Sequence, residues 1–461
     1  MLTRRQFLAT TAVGAASCYL PRRRLWAEDP AIEKKMKGAR SALRISEIQA
    51  HEVLLPYHPY NALNLQRYHG PGIQVRSVFV VKTNAGFEGI GENWGHSYLN
   101  DEEIAKYLGT DPFDWVGDLN CLPLNMAIYD LMGKFLELPA WKLIGPKFRS
   151  RIPVAAWTVS LPPEAMALEV KSVSERGYHW LKYHVDELQN VIDQTIAMQD
   201  VAPKGFRVHY DFNANSTYER IQPLIKKLEK FPIVGRIEDP IVTTDRSGWR
   251  RLRAKTKLPL LVHHGPADFM IDGLCDGLMA GHAPIGAAAK AAAVAEATEL
   301  PIMLQQCGGT INQSFLAHEA AVFKMAAIDH VNLAHLWADD VTVERMPVVD
   351  GHVTVLEEPG LGLTIDKKKL KQYARKRAPA QKPFLVRIRY QSGLTILCRH
   401  DPKPGSQDNL RLLERLLGKP IPGPTPGYDN DVATDFWDDV DSPEFQQRWK
   451  ETETGPLVIG S

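Results

Sequence analysis

Residues 180–238 hold three short segments that decide how the chain is read: Trp180-Leu-Lys-Tyr-His-Val185, Arg207-Val-His-Tyr-Asp-Phe212 and Val234-Gly-Arg-Ile-Glu238. Each is rich in β-branched and aromatic residues, each ends in ionisable side chains, and stretches of helical spacing separate them. The same cadence extends in both directions, through Val154–Ser160 before them and Leu260–His264, Gly277–Gly281, Ile302–Gln306 and His330–His335 after them. Eight short strands alternating with helices predict a parallel (β/α) barrel over 153–345 rather than an antiparallel sandwich. In such a barrel the chemistry sits at the C-terminal ends of the strands.

Upstream, the pattern of 43–152 is that of a smaller α+β unit. Ile45–Leu55 alternates, Val75–Thr83 is β-rich, and Asn84-Ala85-Gly86 is a turn that would fold it into a hairpin with Gly89–Glu92. Pro123–Leu143 has helical spacing and ends at Gly145-Pro146. Downstream, 346–366 is a return segment. Over 367–461 a basic helix, Lys367–Arg377, precedes a hairpin, Pro383–Arg399, and then a Pro-, Gly- and acid-rich stretch that reads as an appendage.

The first 27 residues contain Thr3-Arg4-Arg5-Gln6-Phe7-Leu8 and a small apolar run, which resembles a twin-arginine signal and predicts export to a periplasmic or other extracytoplasmic compartment. A formal charge of +1 over 461 residues supplies no field to attract nucleic acid. Beyond the N-terminus no apolar run is long enough to span a bilayer. The five cysteines include no C-x-x-C pair, so neither a thiolate zinc site nor a disulfide framework is expected.

At the strand ends, Asp211, Glu238 and the pair His263-His264 follow one another at a spacing of one βα unit. Carboxylates brought together at a barrel mouth repel unless bridged, and an oxygen-rich set suits a divalent cation. Lys182 and His184 share one face of the preceding strand; an ammonium can stabilise an enolate and a neutral imidazole can take a proton from carbon. Gln305 and Gln306 can orient hydroxyls but cannot take a proton at neutral pH. Cys307 lacks a paired base and is expected to pack, His209 is expected in the core, and His282 is a candidate base if its strand is shifted.

These residues resemble the enolase superfamily, and within it the mandelate racemase and muconate lactonizing enzyme branch. The resemblance covers roughly Ile45–Asp366. It rests on Gly89-Ile-Gly-Glu-Asn93, Leu131-Met-Gly-Lys134 with Leu143-Ile-Gly145, Asp211-Phe-Asn213, Glu238-Asp-Pro240, and Gly351-His352 through Pro359-Gly-Leu-Gly362. It implies a modified (β/α)7β TIM-like barrel beneath an N-terminal α+β capping domain, a divalent metal (Mg²⁺ in the family), and abstraction of the proton α to a carboxylate. Carried over by position, Asp211 and Glu238 match the first two metal ligands and His264 falls at the third. Lys182 matches the first lysine of the family's Lys-x-Lys, and His184 stands at the second.

Gly281 and Gln305 stand where the branch has its opposing bases. Only one face of the substrate carbon then retains obvious acid–base groups, which favours dehydration over epimerisation. His264 as a ligand would shift preference towards Mn²⁺, Zn²⁺ or Fe²⁺. The segment Tyr57–Gly72 falls at the family's capping loop, where Tyr60, Asn61 and Arg67 would bind a small carboxylate, with Asn213 and Gln305 from the barrel. Two other readings stay open: a catalytically degenerate barrel that acts as a binding protein, and a transition-metal site of His263, His264, His184 and Asp211 for hydrolysis. The resemblance also implies a possible homo-oligomer.

Overall fold

The computed structural model describes residues 24–26, 43–69, 74–95, 99–186, 188–263, 265–377, 382–400 and 428–460. Eight parallel strands close into a barrel: β5 (Arg151–Val159), β6 (Trp180–His184), β7 (Arg207–Asp211), β8 (Val234–Glu238), β9 (Leu260–His263), β10 (Gly277–Gly281), β11 (Ile302–Gln306) and β12 (His330–Asn332). They lie in chain order, and β12 pairs back onto β5. Each lies within a few residues of the segment predicted from the sequence. The fold is the TIM-like barrel that the pattern predicted, with the N-terminal cap that the resemblance implied.

The cap is an antiparallel sheet of β2 (Ile45–Leu54), β3 (Val75–Thr83) and β4 (Glu88–Trp94), packed on helix α2 (Leu122–Leu136). The β3–β4 turn is the expected one, with Gly86 at φ 85°. Gly91 of the Gly-Ile-Gly-Glu run allows sheet and helix to touch, since a Cβ there would lie 1.9 Å from the Pro123 carbonyl oxygen. Helix α2 is shorter than its spacing suggested. It stops at Glu137, which adopts φ 55°, and a separate turn, Trp141–Ile144, resumes after Pro139, because proline and a left-handed residue interrupt the helical hydrogen bonds. Asp130 of α2 accepts from the Ile90 and Leu361 amides at 2.9 and 2.8 Å, joining hairpin, helix and return segment.

Three other expectations change. The capping segment read as a loop contains a helix, α1 (Ala62–His69), anchored by the fully buried Leu65. The stretch set aside as a signal contributes an edge strand, β1 (Arg24–Trp26), which pairs with β2, while residues 1–23 and 27 lie outside the described residues. The C-terminal appendage has a sheet of its own, in the order β15 (Val432–Trp437), β13 (Phe384–Tyr390), β14 (Thr395–His400), β16 (Leu457–Ile459). Leu385, Ile388 and Ile396 are fully buried. No helix among the described residues is long and apolar enough to cross a membrane.

Candidate active site at the barrel mouth

Strand register places the ionisable strand ends side by side: His184 pairs with Asp211, and Asp211 with Glu238. Alternation turns all of them, with Lys182 one layer below, into the barrel. The Lys182 ammonium is fully buried; it lies 2.8 Å from Glu238 Oε2 and 3.1 Å from Asp211 Oδ2, and donates to Gln305 Oε1 at 2.7 Å. Burial pushes its pKa down, but the Asp211 and Glu238 charges outweigh burial and hold it above the usual lysine value. Lys182 is therefore a fixed positive charge whose three N–H bonds all have acceptors, and it is unsuited to accept a proton.

The two carboxylates are ionised. Burial and the neighbouring Glu238 push Asp211 up; Lys182 and His184 outweigh them and bring it down to about 2. Glu238 is also pushed up by burial, yet Lys182, His209 and His263 hold it well below the usual carboxylate range. His209 fills the layer beneath, where burial lowers its pKa to about 4. Arg236 Nε, which can only donate, meets His209 Nδ1 at 3.2 Å, so the hydrogen of the neutral ring is on Nε2, facing Glu238 Oε2 at 2.8 Å. The ring is a core group, as its sequence position suggested.

His184 Nε2 lies 3.1 Å from Asp211 Oδ2, and the Trp157 indole packs edge-on against the imidazole at 5.0 Å. With 8% of its surface exposed, it is the member of the Lys182–His184–Asp211–Glu238 group that reaches towards the mouth. Asn213, at φ 52°, donates its backbone N–H to Asp211 Oδ1 at 2.9 Å and its amide to the Asp211 carbonyl at 3.1 Å. Its contacts position Asp211, leaving Oδ2 to Lys182 and His184. Gln305 joins the cluster through Lys182.

Other candidates stand elsewhere. His282, at φ 51°, lies with Nε2 3.6 Å from Cys307 Sγ and its ring 6.2 Å from Trp94 of the cap, at the rim. Burial pushes the Cys307 thiol up to about 12, so it packs as expected. Tyr60 turns towards the helix layer, donating to Glu169 Oε2 at 3.3 Å and accepting from Arg176 at 2.7 Å. Asn61 is buried beside Glu169. Arg67 pairs with Asp438 of the appendage at 2.8 Å and lies over the Phe436 ring. These three side chains fix the capping segment in place through protein partners. His264 lies outside the described residues.

Sequence reasoning gave Asp239 no role, and it set His264 at the third metal position while weighing His263 only as a strand-end neighbour and in the hydrolytic alternative. The described imidazole that meets the carboxylates from β9 is His263, with Nδ1 3.2 Å from Glu238 Oε1. Asp239, at φ 43°, accepts the His263 backbone N–H at 2.8 Å. Ligand atoms of Glu238, Asp239 and His263 all lie within 4.8 Å of one another, a carboxylate and imidazole donor set that fits a divalent ion. The available signal was alternation in Leu260-Leu-Val-His263, which gives Leu261 and His263 one face; only the pairing of Leu261 with Glu238 shows which face is inside.

Comparison with known proteins agrees with this geometry. Residues 165–369 match the family model described as Enolase C-terminal domain-like. A D-galactonate dehydratase of Xanthomonas axonopodis pv. citri (strain 306) is 26% identical over 280 residues, which span 54% of this chain and 72% of that protein. Among solved structures, a mandelate racemase/muconate lactonizing family protein from Azoarcus sp. EbN1 superposes with a TM-score of 0.60 at 22% identity, covering 72% of this chain and 98% of the other. A dipeptide epimerase from Cytophaga hutchinsonii, complexed with Mg and a dipeptide, gives 0.58 at 17% identity, covering 71% and 98%. The structural likenesses show the capped-barrel fold, and the matches together support the enolase superfamily.

Proposed function

We propose, from a capped barrel whose matches support the enolase superfamily, that this chain removes the proton α to the carboxylate of a hydroxy acid of the sugar-acid class. Elimination of water is the leading outcome and epimerisation the other. The observation that carries this reading is the convergence of Lys182 and His184 on Asp211 Oδ2, each at 3.1 Å. The convergence sets a permanent cation beside an imidazole on one side of the mouth. In the proposed reaction the Cα–H bond breaks with its proton passing to the His184 imidazole, and the electron pair enters the carboxylate as an enediolate near the Lys182 charge. The pair then forms the Cα–Cβ double bond as the β-hydroxyl departs, taking the same proton from His184 to leave as water. One base on one face suffices, consistent with Gly281 and Gln305 opposite.

A divalent ion held by Asp211, Glu238 and an imidazole from the end of β9, with the Asp239 carboxylate beside Glu238, would supply Lewis acidity towards the substrate carboxylate. The name of the D-galactonate dehydratase relative supports an acid sugar as substrate. We place the protein outside the cytoplasm by way of the Arg4-Arg5 motif, which fractionation of cells with and without Arg4→Lys/Arg5→Lys would test.

The test of the reaction is α-proton exchange and dehydration of a panel of sugar acids in deuterated water, with His184→Asn as control. Exchange lowered at least ~100-fold by the substitution supports the reading. No exchange with any acid, in folded protein supplied with Mg²⁺ and Mn²⁺, would favour the binding barrel, in which Lys182 serves only to neutralise the two carboxylates.

A further inference from the structure

We infer that the metal ligand contributed by β9 is His263, seated over Gly281, and that the site therefore selects a first-row transition ion over Mg²⁺. This deepens the proposed function and rests on the metal dependence assumed there. His263 pairs in register with Met279, whose Sδ lies 3.5 Å from Lys182 Nζ, so His263 belongs to the inward-facing layers of the mouth. Its Nδ1 meets Glu238 Oε1 at 3.2 Å, the oxygen to which Lys182 also donates at 2.9 Å, so Glu238 is shared between a fixed cation and an imidazole.

Gly281 makes this placement possible. A Cβ built there would lie 1.9 Å from His263 Nε2 and 2.7 Å from Cε1. No side chain fits at 281 without displacing the ring. The ring takes the space on β10 that a longer side chain would otherwise fill, so the imidazole from β9 and the missing side chain on β10 are one arrangement. The loop after β8 supports it, since Asp239, held at φ 43°, takes the His263 N–H and brings a second carboxylate beside the first. A non-glycine residue held there costs free energy and persists where its surroundings over-determine it.

The donor atoms of Glu238, Asp239 and His263 span at most 4.8 Å. Ligands on opposite sides of an ion at 2.0–2.2 Å lie about 4–4.4 Å apart, so only a small closure separates this set from a coordination shell. Mg²⁺ favours an octahedron of oxygens and retained water, whereas Mn²⁺, Fe²⁺ and Zn²⁺ accept imidazole nitrogen readily.

The experiment loads chelator-treated full-length protein with Mn²⁺ and reads nitrogen coupling to the ion by pulsed electron paramagnetic resonance, alongside competition between Mg²⁺ and Co²⁺ in titration calorimetry. The expected result is nitrogen coupling in the wild type, its loss in His263→Gln and in Gly281→Ala, its retention in His264→Gln, and Co²⁺ binding at least about tenfold tighter than Mg²⁺. Circular dichroism confirms that each variant is folded, and the isosteric His263→Gln keeps the test valid if Gly281→Ala is not. No bound ion, an ion without nitrogen coupling, equal affinity for the two metals, or coupling that survives His263→Gln would each overturn the assignment. The proposed reaction fails separately: α-proton exchange with Mg²⁺ and no nitrogen coupling sinks only the His263 assignment, and nitrogen coupling without exchange on any acid sinks only the reaction.

Discussion

The Lys182 ammonium donates to Gln305 Oε1 at 2.7 Å, linking β6 to β11 across the barrel while Asp211 and Glu238 hold its other two hydrogens. A side chain bound this way has a fixed charge and a fixed position. Its removal leaves two ionised, buried carboxylates side by side. Lys182→Met is expected to cost about 3–5 kcal/mol of stability in the absence of divalent ions, the usual penalty for stripping one partner from a buried pair. Added Mn²⁺ should restore part of that loss. Urea unfolding with and without the ion checks both; a variant as stable as the wild type without metal would contradict the electrostatic account.

Asp211 titrates near pH 2 in the folded chain against an ordinary value of 3.8. A depressed acid stabilises the fold above its unfolded pKa, and that contribution is lost as pH falls from about 4 through 2. The stability difference between wild type and Asp211→Asn should therefore shrink between pH 5 and pH 2, as read from thermal unfolding at a series of pH values. A constant difference would count against the Lys182 and His184 contacts.

Glu319 lies in helix α3 (Thr310–Val322), fully buried, and its hydrogen-bond donor is the Gln306 side-chain amide. Burial raises its pKa to about 8 from 4.5, only partly opposed by Gln306. For a raised acid the sign is the reverse of Asp211: the contribution is fully present below pH 4.5 and declines as pH rises towards 8. Glu319→Gln keeps an acceptor for Gln306 and removes the titration. It should match the wild type at pH 4 and exceed its stability by roughly 3 kcal/mol at pH 7. Equal pH profiles for the two proteins would show that Glu319 has a cation or solvent nearby.

Arg76 of β3 is sealed between Glu92 at 2.8 Å and Asp340 at 2.5 Å, while Glu92 also accepts the Asn312 backbone N–H at 2.8 Å. Cap and barrel are joined here by buried charges. Arg76→Leu should cost about 3–5 kcal/mol by taking the buried cation from Glu92 and Asp340, and hydrogen exchange should rise first in β3, β4 and the start of α3. By contrast, the more exposed Arg67–Asp438 pair should be worth under about 1 kcal/mol, so Asp438→Ala should leave the melting temperature nearly unchanged.

Local pattern was enough to read the barrel from the sequence. Eight β-rich segments at βα spacing, and the Asn84-Ala85-Gly86 turn, depend on neighbours along the chain, and they lie where they were expected. The positions of Asp211 and Glu238 at strand ends were legible for the same reason. Tertiary structure decided the rest. Lys182 became a fixed cation because neighbouring strands bring to it carboxylates that lie 29 and 56 residues further along the chain. Tyr60, Asn61 and Arg67 turned to Glu169, Arg176 and Asp438, partners that no spacing reveals. His263 faces Glu238 because the register of β8 on β9 sets which side of a four-residue strand is inside. A two-residue period gives two faces but not which is buried, and that choice is made by contacts between strands distant in the chain.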